Sequence, residues 1–303
     1  MKTKRFIKYI LYPVYIAYKK REKYLAAKDP KSWANRIYKK QFGYDINWES
    51  PRDLNEKIRW LQFNTDTSKW STLADKFLIR DYIKEKGLED ILVKLYAKWD
   101  RVEDIDFSSL PNSFVLKTNH GTGDVIIVND KSSANLSRIK KKLKKAFNYK
   151  FGVLTAEPHY LKIKPCIIAE EKLEEKNNII SSSLIDYKFY CFHGNPECLL
   201  VCYDRFSDHA GKIVYDMNWN QRLDYTNLHT GAILKKIPRP INFEKMKEAC
   251  HILGKEFPFV RIDFYEVNGK LYFGEMTFTP AAGLSSAESK DCLKMLGDKI
   301  SIS

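Results

Sequence analysis

The strongest constraint on how this chain can fold is a pair of apolar-rich runs near its C-terminus. Val260-Arg261-Ile262-Asp263-Phe264-Tyr265 and Lys270-Leu271-Tyr272-Phe273-Gly274-Glu275-Met276-Thr277 flank Asn268-Gly269. Asn-Gly between two such runs is a tight hairpin signal, because both residues accept positive φ. Side chains alternate along a strand, so Arg261 and Asp263 share one face, as do Glu275 and Thr277. One face therefore offers a cation, two carboxylates and a hydroxyl. Neighbouring carboxylates repel unless a cation sits between them. Hard oxygen ligands suit Mg²⁺, which binds through one or two carboxylates plus substrate phosphates. The hairpin points to a nucleotide-phosphate site, although a solvated surface hairpin with an ordinary Arg–Asp pair has the same string.

Elsewhere the pattern mixes helices with antiparallel hairpins, which predicts an α+β or α/β architecture. Residues 30–110 read as mostly helical. Leu54–Leu61 follows the helix-start signal Ser50-Pro51, and Leu73–Lys86 has apolar residues near a 3.6 period, with Gly87 at its end. After Leu110-Pro111 the pattern changes to strands, Phe114–Lys117 and Val125–Val128, on either side of a glycine loop. A lysine-dense helix over Leu136–Phe147 follows, then a short apolar strand over Ile163–Glu170. Leu184–Phe192 and Glu197–Tyr203 form a second hairpin around His193-Gly194-Asn195-Pro196, and Phe243–Leu253 reads as a helix. No repeat period is visible.

The 303 residues suffice for two or three packed units, and the formal charge of +14 favours anionic partners. Nucleic acid is not expected among them, since no RNP motif, C2H2 spacing or basic recognition helix is legible. None of the six cysteines forms a C-x-x-C pair, which predicts reduced, structural thiols and a cytoplasmic setting. At the N-terminus, Lys2, Lys4, Arg5, Lys8, Lys19, Lys20 and Arg21 surround a Phe/Tyr/Ile/Leu-rich stretch. Lys8 and Pro13 interrupt that stretch, and it falls short of the about 20 apolar residues a bilayer span needs. The composition suits an interfacial segment on an anionic membrane, or a helix docked on the protein's own core.

Several motifs carry chemistry. Asn119-His120-Gly121-Thr122-Gly123-Asp124 joins two strands, and its glycines let backbone N–H groups approach an anion, with Lys117 at the end of the preceding strand. It is neither a Walker A loop nor a Rossmann fingerprint. Glu170-Glu171-Lys172-Leu173 closes an apolar strand, where backbone can pair with an adenine ring. Asp186, Lys188 and Tyr190 share one strand face, and a half-buried lysine there needs a phosphate or an acid as partner. His120 and His193 stand in no Ser-His-Asp or Cys-His order.

The order of these elements resembles the ATP-grasp superfamily. The closer likeness is to its TupA-like branch, a branch found among capsule and cell-surface polysaccharide functions. That likeness is carried by Asn55-Glu56-Lys57-Ile58, Asp75-Lys76-Phe77-Leu78-Ile79-Arg80, Leu116–Gly123 and Asp186–Tyr190. The resemblance covers roughly residues 50–290. It implies that Arg80 and Lys117 contact ATP phosphates, and that the loop with His120, Gly121, Thr122 and Gly123 closes over the β- and γ-phosphates. It implies that Glu170 and the backbone of Glu171, Lys172 and Leu173 hold adenine, while Lys188 approaches a phosphate. Arg261 would stabilise the transferring phosphoryl group, and Asp263, Glu275 and Thr277 would hold Mg²⁺. Two positions depart from the family pattern: Thr277 stands where Asn is usual, and Arg80 where the wider superfamily more often has Lys.

The resemblance further implies an ATP-grasp fold: a basic segment at 1–29, a helical region at 30–110, a small subdomain at 111–172 and a larger one at 173–303, with ATP between the last two. The expected reaction is ATP-dependent joining of a carboxylate to an amine through an acyl phosphate, on acidic acceptors such as a polysaccharide or a peptide. Pro280-Ala281-Ala282-Gly283 is expected to line the acceptor site. The rival expectations are a polysaccharide glycosyltransferase, for which Asp104-Ile105-Asp106 is the only metal-motif string, and a nucleotide-binding scaffold without turnover.

Overall fold

The C-terminal hairpin forms around Asn268 and Gly269, whose φ values of 51° and 74° are those a tight mirror-image turn requires. In the computed structural model, residues 2–175, 180–205, 210–227 and 235–302 are described. The chain opens with helices α1 (Lys2–Lys28), α2 (Pro30–Phe42), α3 (Leu54–Asn64), α4 (Ser68–Ala74) and α5 (Ile79–Glu85). Strands β1 (Leu95–Trp99), β2 (Phe114–Thr118) and β3 (Ile126–Val128) precede α6 (Leu136–Phe147), α7 (Pro158–Leu161) and β4 (Ile167–Glu170). Strands β5 (Asp186–Phe192), β6 (Asn195–Tyr203) and β7 (Gly211–Asp216) come next, then α8 (Phe243–Gly254), β8 (Val260–Val267), β9 (Lys270–Thr277) and α9 (Lys290–Asp298).

The strands build two antiparallel sheets, ordered β1-β4-β2-β3 and β7-β6-β5-β8-β9, so the class is α+β. Alternation decides which face is packed. Phe114, Leu116 and Val128 of the small sheet bury against Ile139 and Leu143 of α6. This leaves Lys117 and Glu170 on the other face. In the large sheet Phe189, Ile262 and Phe264 bury with Phe243, Met246 and Leu253 of α8. The opposite face then holds the polar residues of β5, β8 and β9.

Several expectations are corrected. The stretch 73–86 is not one helix. It breaks at Asp75, whose Oδ1 accepts from the backbone N–H groups of Phe77 (2.8 Å) and Leu78 (3.2 Å), while Lys76 N–H donates to Asn119 O (3.1 Å). A short acid that caps the following turn competes with continued helix. The region 30–110 is not all helix or loop, because β1 pairs with β4 and joins the small sheet. Asp53, rather than Ser50-Pro51, caps α3, accepting from Glu56 N–H at 3.0 Å. The strand expected from Ile163 starts at Ile167, and the β5–β6 turn needs only His193 and Gly194. Helix α1 continues through Pro13. A proline removes one ladder hydrogen bond and bends a helix without having to end it.

The side chains of Phe6, Ile10 and Leu11, expected at a membrane or on the core, lie outside the described residues. Ile16 is partly exposed on α1. Among the described residues no helix is long and apolar enough to cross a membrane. All six cysteines are buried free thiols. Asp106 of the Asp-x-Asp string is bound to Ser108, through the backbone N–H (2.9 Å) and the hydroxyl (2.6 Å), in the loop between β1 and β2.

Candidate active site

Strand register assembles the site. Lys188 lies opposite Asp263, and Asp263 opposite Glu275; Tyr190 lies opposite Arg261, and Arg261 opposite Thr277. Two rows of three side chains thus cross β5, β8 and β9 on one face. Arg261 is the hub. Its Nε donates to Asp263 Oδ1 (2.7 Å), and its Nη2 donates to Asp263 Oδ2 (2.8 Å), Glu275 Oε1 (2.8 Å) and Thr277 Oγ1 (3.1 Å). Lys188 Nζ donates to Asp263 Oδ2 and stands 3.7 Å from Asp186 Oδ1. The lysine's expected anion partners are therefore two aspartates of the chain.

A bulge after Asp263 keeps this face in register. Gly274 permits it: a Cβ there would stand 2.9 Å from Asp263 O. Burial raises the Asp263 pKa, with Arg261 and then Lys188 opposing that shift. Burial also works against the Glu275 charge, but Arg261, Lys188 and Lys76 outweigh it and hold the carboxyl at about 2. Burial likewise opposes the Lys188 charge, and Asp263 is the main influence that raises its pKa.

The donor set fits Mg²⁺ in kind: two carboxylates and a hydroxyl, all hard oxygens. Glu275 keeps 39% of its side chain exposed, and among the described residues its hydrogen bonds all fall on Oε1. Asp263 is already shared between Arg261 and Lys188, so a metal there would compete with both cations. No cluster of three His, Cys, Asp or Glu side chains suited to a metal occurs among the described residues.

The glycine loop is held by residues of α4–α5 and the small sheet. Asn119 fixes its base: Nδ2 donates to Asp75 Oδ2 (2.8 Å) and Lys164 O (3.0 Å), and Oδ1 accepts from Cys166 N–H (2.7 Å). Asp124 binds back to Thr118, and His120 Nε2 lies 3.2 Å from Tyr149 O. Thr122 and Gly123 are exposed at the tip, Gly123 with φ of 75°. Lys76 Nζ donates to Gly121 O, and burial lowers its pKa, with Glu275 the largest opposing charge and Lys117 adding to the depression.

The other candidates cluster around Glu170. Its carboxylate takes Lys117 Nζ at 2.6 Å and lies 3.5 Å from Arg80 Nη1, and Arg80 Nη2 donates to Val93 O (2.8 Å). Both expected phosphate ligands are thus gathered on one acid, which leaves that acid less free for a ribose or an adenine. Glu171 N–H donates to Lys94 O (2.9 Å), and Lys172 pairs with Glu174. Leu173 is half-buried, and the segment after it reaches the β8–β9 turn, where Glu175 Oε2 accepts from Asn268 N–H (2.7 Å). The run 171–175 therefore bridges the two sheets.

Sequence reasoning assigned no role to Asp186 or Glu288, and named Lys76 only as part of a motif. Asp186 is fully buried between Lys188 and Arg205. Pro280 and Ala281 do line a cleft of about 440 Å³ beside Arg261, Lys188, Tyr190 and Glu288. Ala281, Ala282 and Gly283 all adopt left-handed φ, and Asn55 of α3 holds the turn by accepting from Ser285 N–H (3.1 Å) and donating to Ser285 O (2.8 Å).

Among solved structures, the chain is similar to the D-alanine–D-alanine ligase from Bacillus anthracis complexed with ATP (15% identity, 76% of this chain and 65% of that chain, TM-score 0.46). It is also similar to the ATP-grasp ligase PsnB complexed with minimal precursor (12%, 81% and 65%, 0.42) and to the D-cycloserine synthetase DcsG (10%, 76% and 70%, 0.42). The chain thus spans just under two thirds of the length of the first of these. No curated protein matches it. A family model for TupA-like ATP-grasp proteins matches residues 56–301, which include both sheets and every residue expected to bind nucleotide or metal, and the chain belongs to that family.

Proposed function

We propose that this protein is an ATP-dependent carboxylate–amine ligase. The observation that supports this best is the single sheet face on which Arg261 bridges Asp263, Glu275 and Thr277 beside Lys188. In this reading a substrate carboxylate takes the γ-phosphoryl group of ATP to give an acyl phosphate, and an amine then displaces phosphate. No covalent enzyme nucleophile is needed, so the protein contributes positioning and charge neutralisation. Arg261 and Lys188 offset charge on the transferring group. Lys117 and Arg80 serve the phosphates, the loop 120–123 covers them, and residues 170–173 serve the adenine. Asp263, Glu275 and Thr277 would hold Mg²⁺, which would supply neutralisation of phosphate charge.

The net charge of +14 and the cationic cleft favour an acidic polysaccharide or peptide as acceptor, in cell-surface or capsular polymer synthesis at the cytoplasmic side of the membrane. Helix α1 supports a peripheral attachment there, since Val14, Tyr15 and Tyr18 are exposed among lysines. Thermal-shift screening with Mg-ATP against nucleotide sugars tests the ligand class, because a ligand stabilises the state it binds. Turnover should release ADP and phosphate, and hydroxylamine should trap a hydroxamate when the right carboxylate is present. Release of UDP or GDP from a nucleotide sugar without ATP use would refute the ligase reading in favour of glycosyl transfer.

A further inference from the structure

The cleft beside Arg261 holds one carboxylate that nothing described so far uses. Glu288 is only 9% exposed and lines the cleft. Its Oε1 accepts from Tyr190 OH at 2.9 Å, and its Oε2 accepts from the Ser285 hydroxyl. Both donors are neutral. Among the described residues no Lys, Arg or His nitrogen lies within 4.0 Å of it, although Lys188, Arg205, Lys212 and Arg261 line the same cleft. Asp186 and Asp263 hold the first two of those cations and Arg261. A carboxylate this buried is costly to keep without a cation. The chain thus pairs Asp186 and Asp263 behind the cleft with cations, and leaves the one acid that lines it to a partner from outside.

We propose that Glu288 is the subsite for the amine co-substrate, binding it as a primary ammonium. The reading rests on the ligase assignment for its place in a reaction, and the geometry supplies that place. Tyr190 stands opposite Arg261 in the strand register and hydrogen-bonds Glu288 through its hydroxyl. One tyrosine side chain therefore separates the group that offsets phosphoryl charge from the group that receives the amine. An ammonium held on Glu288 would wait beside the position where the acyl phosphate forms, and would pass a proton to that carboxylate to become the neutral amine that displaces phosphate, with Tyr190 and Ser285 fixing the carboxylate. An ammonium is also the group that the cations on the cleft walls repel, so Glu288 would decide where in the cleft the amine can sit.

Titration of the full chain with n-butylammonium chloride, against 1-butanol and sodium chloride at matched ionic strength, tests this. Binding is followed by thermal shift and by calorimetry. The wild type should bind the ammonium and not the alcohol. Glu288→Gln, which keeps size and requires one of the two hydroxyls to turn from donor to acceptor, should bind it about tenfold more weakly or less well still, the loss expected for one charge-assisted contact. Glu288→Asp should fall between the two, and serves if the glutamine variant fails to fold. Equal affinity for the ammonium in wild type and both variants, or no binding to the wild type, overturns the inference. Mg-ATP in parallel wells separates the two readings. A shift with Mg-ATP but none with ammonium sinks the amine subsite alone. A shift with ammonium but none with Mg-ATP keeps the subsite and sinks the ligase assignment.

Discussion

Lowering the pH should destabilise this protein through one histidine that packs under the site. His159 of α7 is 1% exposed, and neither ring nitrogen has a hydrogen-bond partner. It lies edge-on to Trp70 (5.5 Å between centroids), which stacks on Phe278 (4.9 Å), the residue that follows Thr277. Burial, with Arg59 and Lys162 adding to it, depresses its pKa to about 3 from the ordinary 6.5. The folded state therefore excludes a proton that the unfolded state takes up. The stabilisation is fully present above pH 6.5 and is lost as pH falls through that value toward 3. At about 1.4 kcal/mol per pH unit, the loss reaches about 2 kcal/mol at pH 5. That figure holds for any folded pKa below about 4, and it is a large part of a typical stability of about 5–15 kcal/mol. Urea unfolding followed by tryptophan fluorescence, at pH 7.5 and pH 5, should show the stability gap between wild type and His159→Leu shift by that amount in favour of the variant. The leucine loses no hydrogen bond, and its packing cost does not depend on pH. Parallel pH profiles for the two proteins would refute the reasoning.

Lys188→Ala and Lys117→Ala should each weaken Mg-ATP binding, by about tenfold for loss of one charged contact; unchanged affinity in both, measured by calorimetry, removes them from the phosphate site. Asp263→Asn and Glu275→Gln should abolish ATP turnover with the circular dichroism spectrum retained, although Asp263→Asn should also cost about 1–3 kcal/mol in unfolding experiments, because Arg261 and Lys188 lose their shared anion. Thr277→Asn should keep or tighten Mg²⁺ binding; if it stops turnover, the hydroxyl has a role beyond holding metal. Full-length protein should co-sediment with anionic vesicles more strongly than residues 22–303, weakened but not lost at high salt, since lysine contacts are screened and apolar ones are not. Equal sedimentation with a lower melting temperature for the truncation would make the segment part of the core.

What the sequence made legible was local. The β8–β9 hairpin follows from Asn268-Gly269 and strict alternation, and the same alternation placed Arg261, Asp263, Glu275 and Thr277 on one face. Helix α6 matches its sequence span residue for residue, because Asn135 caps it and its apolar positions recur at helical spacing. Strand β1 was missed for the opposite reason. Leu95-Tyr96-Ala97-Lys98-Trp99 is half-buried throughout and becomes a strand only through β4, some seventy residues later. The break at Asp75 was missed because Asn119, forty-four residues away, holds it.

Residue chemistry and period, which neighbours in the chain decide, were enough for the α+β class, the hairpins and the family likeness. The pairings that make a site were not. Lys188 meets Asp263 across 75 residues, Arg80 meets Glu170 across 90, and Tyr190 meets Glu288 across 98. A charge in a sequence looks the same whether water or a buried partner surrounds it. Only the packed sheets decided that Asp263 and Glu170 are shared between cations, that Lys76 ties down the glycine loop, and that Glu288 is buried with none, because burial and distance set the electrostatics of a side chain and neither exists before the chain folds.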